Sequence, residues 1–234
     1  MNNWNGKTLS VVVTSRNDDH GGGMRLRMEA FLKGLDEQAI RHQMNVELIV
    51  VEWNPPLDRP LLSTIMPRPS RGSPVSVRYI VVPPGVHHRW VNWEKNPLFQ
   101  MIAKNVGIRR ANAGFVLATN ADLLFSDDLC SFLAHERLQA GVMYRANRCD
   151  VPGDVLNGAN TRERLDLAKS GIMARWGQAS AKAGGSPDIM RRWKKQLSRA
   201  VNRHLSGSDG AEVDTAGCGD FTLHSQRSQP LPAF

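Results

Sequence analysis

The residues best suited to chemistry in this chain are Asn120 and Asp122, which follow an apolar run that begins at Phe115. A buried strand that delivers a carboxylate at its C-terminal end is a common way for open α/β sheets to build ligand sites. Residues two apart on an extended segment share a face, so Asn120 and Asp122 could both contact one ion. Oxygen ligands of this kind suit Mg²⁺ or Mn²⁺ holding a diphosphate. The segment therefore predicts a divalent-metal site.

The same segment also has a simpler interpretation, as a strand that passes into a helix. Ser126 is a favourable N-cap residue, and Asp127 and Asp128 would lie in the first helical turn, where the helix dipole favours negative charge. Taken alone, the segment favours this structural interpretation, so the metal site depends on the rest of the chain.

The elements that must position this site alternate between strand and helix. Residues 9–14 form an apolar strand, and the polar residues 15–23 form a turn. Apolar residues at helical spacing then predict a helix from Met24 to about His42. A second strand at 47–52 completes a βαβ unit.

About the next hundred residues continue this alternation of strand and helix. It predicts an α/β fold with a doubly wound, mostly parallel sheet. Prolines spread through residues 55–74 predict a surface loop without regular structure. Pro97 is predicted to lie in the first turn of a helix that ends at Gly114. Further strands are predicted at 77–82, from Phe115 onward and at 142–145. The predicted inner face of the helix consists of Leu98, Met101, Ile102 and Val106.

Composition limits the class of protein. The chain has 234 residues and three cysteines, which suits one large α/β domain without disulfide or zinc cross-links. The formal net charge of +8 favours polyanionic partners, and diphosphate, nucleic acid and anionic lipid all fit. The apolar runs are too short for a signal-peptide core or a membrane span, so we expect a cytoplasmic protein.

The composition changes after the predicted core. Residues 152–212 have few apolar runs and many Gly, Ser, Ala, Arg and Lys residues, which predicts a poorly ordered basic region. Within it, residues 188–205 predict a basic amphipathic helix, whose apolar stripe could pack on the domain or contact a membrane surface or polyanion. A last strand is predicted at 218–223, before an irregular tail at 225–234. The predicted division of the chain is a core, 1–150, and a C-terminal part, 151–234.

Four motifs occur in order along the chain: VVVTSRND (11–18), IVVEWN (49–54), AKNVGIRRA (103–111) and LATNAD (117–122). Together they resemble family 2 glycosyltransferases and related sugar transferases of the GT-A fold, over about residues 8–150. The resemblance implies a GT-A-like sheet whose first half is a Rossmann-like nucleotide-binding unit. It also implies a nucleotide-diphosphate sugar as donor, an acceptor of unknown identity, and Mn²⁺ or Mg²⁺ as cofactor.

The resemblance assigns nucleotide-binding roles to matching positions. Glu52 would accept hydrogen bonds from the base or ribose, although it could equally be a solvated acid at a strand end. Lys104 and Asn105 match a basic residue and an asparagine that position the nucleotide from beneath, although a helix must also expose some polar residues. The turn that would line the nucleobase and ribose consists of Thr14, Ser15, Arg16 and Asn17.

Two features depart from the family pattern. The first acid of the metal motif is replaced by Asn120, which leaves Asp122 as the direct anionic ligand and weakens the expected metal affinity. The family places a carboxylate base on a helix beyond a Gly-rich strand. Asp220 is the candidate for that role here, with an ordinary strand-end residue as the alternative. The tail resembles a truncation or frame change, so we expect this chain alone to transfer sugar poorly.

Two other classes of function remain open. One is a non-catalytic module that holds nucleotide, or that contacts a membrane or polyanion through residues 188–205. Nucleic acid is a less suitable partner, because the aromatic residues are scattered rather than grouped on a strand. The other is a nucleotidyltransferase, which would use a similar aspartate with Gly21, Gly22 and Gly23 as a phosphate loop.

Overall fold

The computed structural model shows an α/β fold built on one six-stranded sheet. It describes residues 9–135, 138–176 and 221–225, with the backbone alone described for 174–176 and 221–225. The elements in chain order are β1 (Leu9–Ser15), α1 (Met24–Arg41), β2 (Val46–Trp53), α2 (Leu62–Ile65), β3 (Val75–Val82), α3 (Pro84–His87), α4 (Gln100–Ile108), β4 (Phe115–Thr119), α5 (Asp127–His135), β5 (Tyr144–Arg145), β6 (Arg148–Asp150), a 3-10 turn (Gly153–Asn157), α6 (Thr161–Ser170), β7 (Ala174–Trp176) and β8 (Phe221–Ser225).

The strands of the large sheet lie in the order β3-β2-β1-β4-β8-β5. The first four are parallel, and β8 pairs antiparallel with both β4 and β5. β6 and β7 form a separate antiparallel pair. The predicted α/β class and mostly parallel sheet are confirmed, and the arrangement is consistent with a Rossmann-like fold. β8 comes from the predicted C-terminal part of the chain, yet it joins the sheet of the core.

Helices cover both faces of the sheet, which explains why the central strands are mostly apolar. β1 and β2 are buried at every position, as expected for inner strands of a parallel sheet. Val11 and Val13 pack on the α1 side with Met28. Val12 points the other way and packs with Ala103 of α4. No helix in the described part of the chain is both long enough and apolar enough to cross a membrane.

Helix α4 differs from its prediction at both ends and on its inner face. It runs from Gln100 to Ile108, rather than from around Pro97 to Gly114. Met101 is 72% exposed, so its predicted place on the inner face is wrong. Successive residues turn by about 100° around a helix, which puts Met101 about 200° from the fully buried Ala103.

Gly107 allows α4 to lie close against the sheet. A Cβ atom at this position would overlap the side chain of Val12 and would lie 3.1 Å from Val51 Cγ2. Such contacts are tighter than a packed core tolerates, so a larger residue would force the helix away from β1 and β2. The close approach therefore depends on a residue without a side chain.

The prediction that residues 55–74 lack regular structure is wrong for the short helix α2. Its first backbone N–H, that of Leu62, donates to both carboxylate oxygens of Glu52, at 3.1 and 2.9 Å. The first N–H groups of a helix have no partner within the helix itself. A buried acid from β2 satisfies one of them, which a pattern of prolines could not reveal.

Residues 153–170 are folded, although composition predicts poor order there. Leu165 of α6 is buried, and the Thr161 N–H donates to a Glu37 carboxylate oxygen of α1 at 3.0 Å. The prediction of poor order is wrong for residues 153–170, because the buried Leu165 and the hydrogen bond to Glu37 fix this segment against α1. The predicted helix at 188–205 lies outside the described residues.

The two remaining predicted strands are present with different limits. The strand predicted at 142–145 is reduced to β5, and the one predicted at 218–223 corresponds to β8. Among the described strands, β5 pairs only with β8 and has no parallel neighbour.

Buried Glu47 joins the strands near their amino-terminal ends. Its carboxylate accepts hydrogen bonds from Ser10 Oγ at 2.7 Å and from the Asn112 backbone N–H and Nδ2 at 2.9 and 2.6 Å. Arg78 of β3 completes the group with an ion pair of 3.0 Å. Burial alone would raise the pKa of Glu47, but these hydrogen bonds and the Arg78 charge outweigh burial and lower that pKa.

Candidate functional site

The candidate site lies where β1 and β4 end side by side, and the region outside these two strand ends is termed the crevice. The two strands are parallel neighbours, with Val12 beside Ala118. The strand order reverses here, because β2 and β3 lie beyond β1 while β4 lies on its other side. Ligands of open α/β sheets bind at such a reversal, outside the carboxyl ends of the strands. The crevice is therefore bordered by residues 16–23 after β1 and 120–126 after β4.

Lys104 and Asn120, both predicted site residues, are in contact at this edge. The Asn120 side-chain oxygen accepts hydrogen bonds from Lys104 Nζ at 3.1 Å and from Gln100 Nε2 at 2.7 Å. Lys104 is only 5% exposed. Burial lowers its pKa, and the negative charge of Asp122 opposes this only in part. A buried ammonium group gains stability from an anion that enters the crevice.

Asp122, the predicted metal ligand, pairs with Arg27 of α1. Its Oδ2 lies 2.6 Å from Arg27 Nη1, and Arg27 Nη2 donates to the His20 carbonyl oxygen at 2.5 Å. Asp122 is thus bonded to α1, whereas Asn120 is bonded to α4 on the other face of the sheet. The expected extended geometry, in which both residues share one face, is wrong because residues 121 and 122 form a turn. The Asp122 side chain remains 39% exposed, so it is open to a ligand from solvent.

Sequence reasoning missed two residues of the crevice, Arg27 and Gln100. Arg27 could not be distinguished from its neighbour Arg25, which pairs with Glu29 along the same helix at 3.1 Å. Only the tertiary fold brings one of them to Asp122. Gln100 did have a signal, because it lies four residues before Lys104 and therefore on the same face of a helix.

Two residues of the predicted nucleoside turn hold a neighbouring loop, residues 54–62. Arg16 Nε donates to the Asn54 carbonyl oxygen at 2.6 Å. Asn17 Nδ2 donates to the Pro60 carbonyl oxygen at 2.8 Å. The turn after β1 and the loop after β2 are therefore joined beside the crevice.

Thr14 and Ser15, the first two residues of the predicted nucleoside turn, belong to the strand itself. Thr14 and Ser15 are buried at the end of β1. Ser15 Oγ donates to Met24 Sδ at 3.6 Å, and the Thr14 hydroxyl has no hydrogen-bond partner among the described residues. Both residues thus lie in the last part of β1, directly before the turn that borders the crevice.

Glu52 is fully buried at the end of β2, where its carboxylate binds the Leu62 N–H. Burial raises the pKa of Glu52, and the bond from Leu62 opposes this in part. Together with Arg16 and Asn17, Glu52 fixes the 54–62 loop. These three of the five predicted nucleoside-binding residues thus make structural contacts next to the crevice.

An aromatic cluster fixes the segment that leads into α4. Trp53 Nε1 donates to His87 Nδ1 at 2.8 Å, and His87 Nε2 lies 3.0 Å from the Trp93 carbonyl oxygen. Because a carbonyl only accepts, Nε2 carries the proton and Nδ1 is the acceptor. Asn54 Nδ2 adds a hydrogen bond to the Pro97 carbonyl at 3.1 Å. These contacts determine where α4 starts and therefore where its polar side chains meet the crevice.

The crevice offers a divalent metal one carboxylate, that of Asp122, because the Asn120 oxygen already accepts hydrogen bonds from Lys104 and Gln100. No group of three or more His, Cys, Asp or Glu side chains in the described part of the chain could hold a metal by itself. Mg²⁺ is commonly held by one or two carboxylates with substrate phosphates as further ligands. Asp122 provides one such carboxylate, so the site suits a metal whose remaining ligands come from the nucleotide.

Two further predicted site residues are not brought to the crevice by the described contacts. Asn105 follows Lys104 on α4 but is exposed, and adjacent helical residues do not share a face. Asp220 lies outside the described residues.

The chain matches no protein-family model and no curated protein. Its function is therefore inferred from the crevice itself. There a buried ammonium, an amide and an exposed carboxylate lie near one another, at the edge where parallel α/β sheets bind ligands.

Proposed function

We propose that this chain binds a nucleotide-diphosphate sugar in the crevice and acts as a glycosyltransferase of the GT-A type, with Mn²⁺ or Mg²⁺ as cofactor. The observation that carries the proposal is the grouping of Lys104, Asn120 and Asp122 at the carboxyl ends of β1 and β4. A cation that contacts phosphate and a carboxylate that holds a metal are what a diphosphate leaving group requires. The four sequence motifs favour the same class.

Lys104 is the residue proposed to contact the diphosphate directly. An ammonium group has three N–H donors, and Asn120 accepts from one of them. Gln100 also donates to Asn120, so this amide stays oriented when Lys104 turns toward a phosphate. The ammonium charge, costly in its buried position, would then be compensated by the ligand.

Asp122 is proposed to hold the metal from the protein side, with diphosphate oxygens on the other side. When bound, the metal supplies positive charge that stabilises the diphosphate as its bond to the sugar breaks. Because Asn120 is uncharged, the motif contributes one negative charge rather than two. Metal binding is therefore expected to depend strongly on the nucleotide.

The nucleoside is proposed to lie over the ends of β1 and β2. Thr14 and Ser15 are the last residues of β1, and Arg16 and Asn17 link the turn after it to the 54–62 loop. Glu52 is fully buried, so it could accept from the base or ribose only after the 54–62 loop moves, through lone pairs beyond those used by Leu62. Its other contribution is to order the loop that borders the nucleoside.

Sugar transfer requires a base that takes the proton of the acceptor hydroxyl, and Asp220 is the proposed residue. Donor binding and transfer are separate parts of the proposal, since a non-catalytic nucleotide-binding module would share only the first. A nucleotidyltransferase with a phosphate loop at Gly21–Gly23 is disfavoured by one contact. The Met24 N–H, a donor that such a loop would direct at phosphate, is taken by Asp19 Oδ1 at 3.0 Å.

Lys104→Met tests the proposal. We expect nucleoside diphosphate affinity to fall about tenfold or more, since charge-assisted hydrogen bonds are among the strongest polar contacts. The unliganded variant should unfold at the same or a higher temperature than the wild type, because a buried charge is replaced by an apolar side chain of similar length. Calorimetric titration with UDP, GDP, ADP and CDP, alongside thermal unfolding, measures both effects.

Lys33→Met is the matched control, because Lys33 is an exposed lysine of α1. It should leave nucleotide affinity unchanged. Equal affinities for wild type and Lys104→Met would contradict the proposed role of Lys104.

A further inference from the structure

We infer that Arg27 is a diphosphate-binding residue that moves from Asp122 to the incoming phosphates, so that Asp122 accepts its metal only once nucleotide is bound. The inference rests on the proposed function and deepens it, because it assigns a second phosphate-contacting cation and an order of binding. Neither the motifs nor the resemblance includes Arg27.

The guanidinium of Arg27 lies at the crevice with its donors only partly used. Nη1 binds Asp122 and Nη2 binds the His20 carbonyl. Nε is buried and has no hydrogen-bond partner among the described residues. Guanidinium groups bind phosphate through two parallel N–H donors, a geometry that the Nε and Nη edge provides.

The loop before α1 leaves room for this arginine. A Cβ atom on Gly21 would lie 3.2 Å from Arg27 Nη2. Gly21 also has a φ of 73°, a conformation that other residues rarely adopt. The loop therefore brings its backbone, including the His20 carbonyl, against the guanidinium without obstructing it.

Arg27 and a divalent cation compete for the same carboxylate. Asp122 Oδ2 already contacts Nη1 at 2.6 Å, and two positive groups at such distances repel each other. A metal would therefore bind weakly while Arg27 occupies Asp122. A diphosphate offers Arg27 several charged oxygens, which allows the guanidinium to leave the carboxylate.

The consequence is positive coupling between nucleotide and metal. Nucleotide frees Asp122 and raises metal affinity, and metal must raise nucleotide affinity by the same factor. Lys104 cannot produce this coupling by the same route, because its hydrogen bond is to the uncharged Asn120.

The test is a titration of Mn²⁺ into the full chain, with free Mn²⁺ measured by electron paramagnetic resonance, in the absence and presence of UDP or GDP. For the wild type we expect nucleotide to raise Mn²⁺ affinity by about tenfold or more, within the usual range of coupling. For Arg27→Gln we expect Mn²⁺ alone to bind several-fold more tightly than to wild type, since Asp122 is free. Nucleotide affinity in chelator should fall about tenfold.

Arg41→Gln is the matched control. Arg41 lies at the other end of α1, about 21 Å from Arg27 at 1.5 Å per residue, and pairs with Asp127 at the same 2.6 Å. This variant therefore removes a comparable ion pair away from Arg27 and Asp122. It should retain the coupling of the wild type. Arg27→Lys keeps the positive charge but not the two-donor edge, so its nucleotide affinity should lie between those of wild type and Arg27→Gln. It replaces Arg27→Gln in the test if that variant folds poorly.

The outcomes separate this inference from the proposed function. If wild type binds nucleotide with metal, and Arg27→Gln keeps wild-type Mn²⁺ affinity, nucleotide affinity and coupling, the role of Arg27 is refuted while donor binding stands. If wild type binds none of the nucleotides, the proposed function fails and this inference fails with it.

Discussion

Glu47→Gln lowers the free energy of unfolding by on the order of 3 kcal/mol at neutral pH, the largest stability effect that we expect from a near-isosteric change. The wild-type carboxylate accepts from Ser10 Oγ and from both donors of Asn112. A glutamine places an NH₂ group against at least one of these donors and removes the charge that faces Arg78. Urea denaturation followed by circular dichroism measures the difference.

The same variant has a defined pH dependence. The folded state lowers the pKa of Glu47 below its ordinary 4.5. Its stabilisation is therefore fully present above that ordinary value and is lost as pH falls through the lower folded-state pKa. The wild type and Glu47→Gln should differ most above pH 4.5 and converge in stronger acid.

Glu29→Gln is the control for Glu47, because Glu29 pairs with Arg25 on the surface of one helix. Such pairs contribute about 0.3–0.5 kcal/mol. If Glu47→Gln is no more destabilising than Glu29→Gln, the buried carboxylate does not hold the strand ends together as described.

Asp122→Ala should remove the metal-dependent part of nucleotide binding, which we expect to be about 10- to 100-fold in affinity. The reason is that Asp122 is the carboxylate proposed to bridge protein and metal. In chelator, nucleotide should bind at least as tightly as to wild type, since Arg27 is released from its ion pair. Nucleotide titrations in the presence of Mn²⁺ and of chelator separate the metal-dependent part of the affinity from the part that needs no metal.

Asp128→Ala is the matched control, because Asp128 is an exposed aspartate on the first turn of α5. It should keep the full metal dependence. An Asp122→Ala protein whose nucleotide affinity still rises with Mn²⁺ as in the wild type would show that the metal is held elsewhere.

The central strands and α1 were predictable because each rests on one local pattern. Residues 9–14 and 47–52 centre on the apolar runs 11–13 and 48–51, as buried parallel strands require. Met24 and Met28 recur at helical spacing and are buried in α1. Where two faces competed, as on α4, the pattern misassigned Met101, because Gly107 and Ala103 determine which side approaches the sheet.

The candidate site was predictable only where strand ends mark it. Asn120 and Asp122 follow β4 directly, and the structure places both beside the crevice. Arg27, the ion-pair partner of Asp122, comes from α1, on the face of the sheet opposite to α4. Arg27 and Asp122 are 95 residues apart in the chain, and no sequence pattern links them. Glu52 was recognised as a strand-end acid, but its bond to Leu62 depends on the path of a proline-rich loop.

The central claim is that the crevice binds a nucleoside diphosphate with the help of a divalent metal. The most direct test is calorimetric titration of the unmodified chain with UDP, GDP, ADP and CDP, once with Mn²⁺ and once with chelator. We predict that at least one nucleotide binds about tenfold or more tightly with Mn²⁺, and stabilises the protein by ~2.7 kcal/mol at a hundredfold excess over Kd. Absence of binding to all four, or equal affinity with Mn²⁺ and with chelator, would contradict the account.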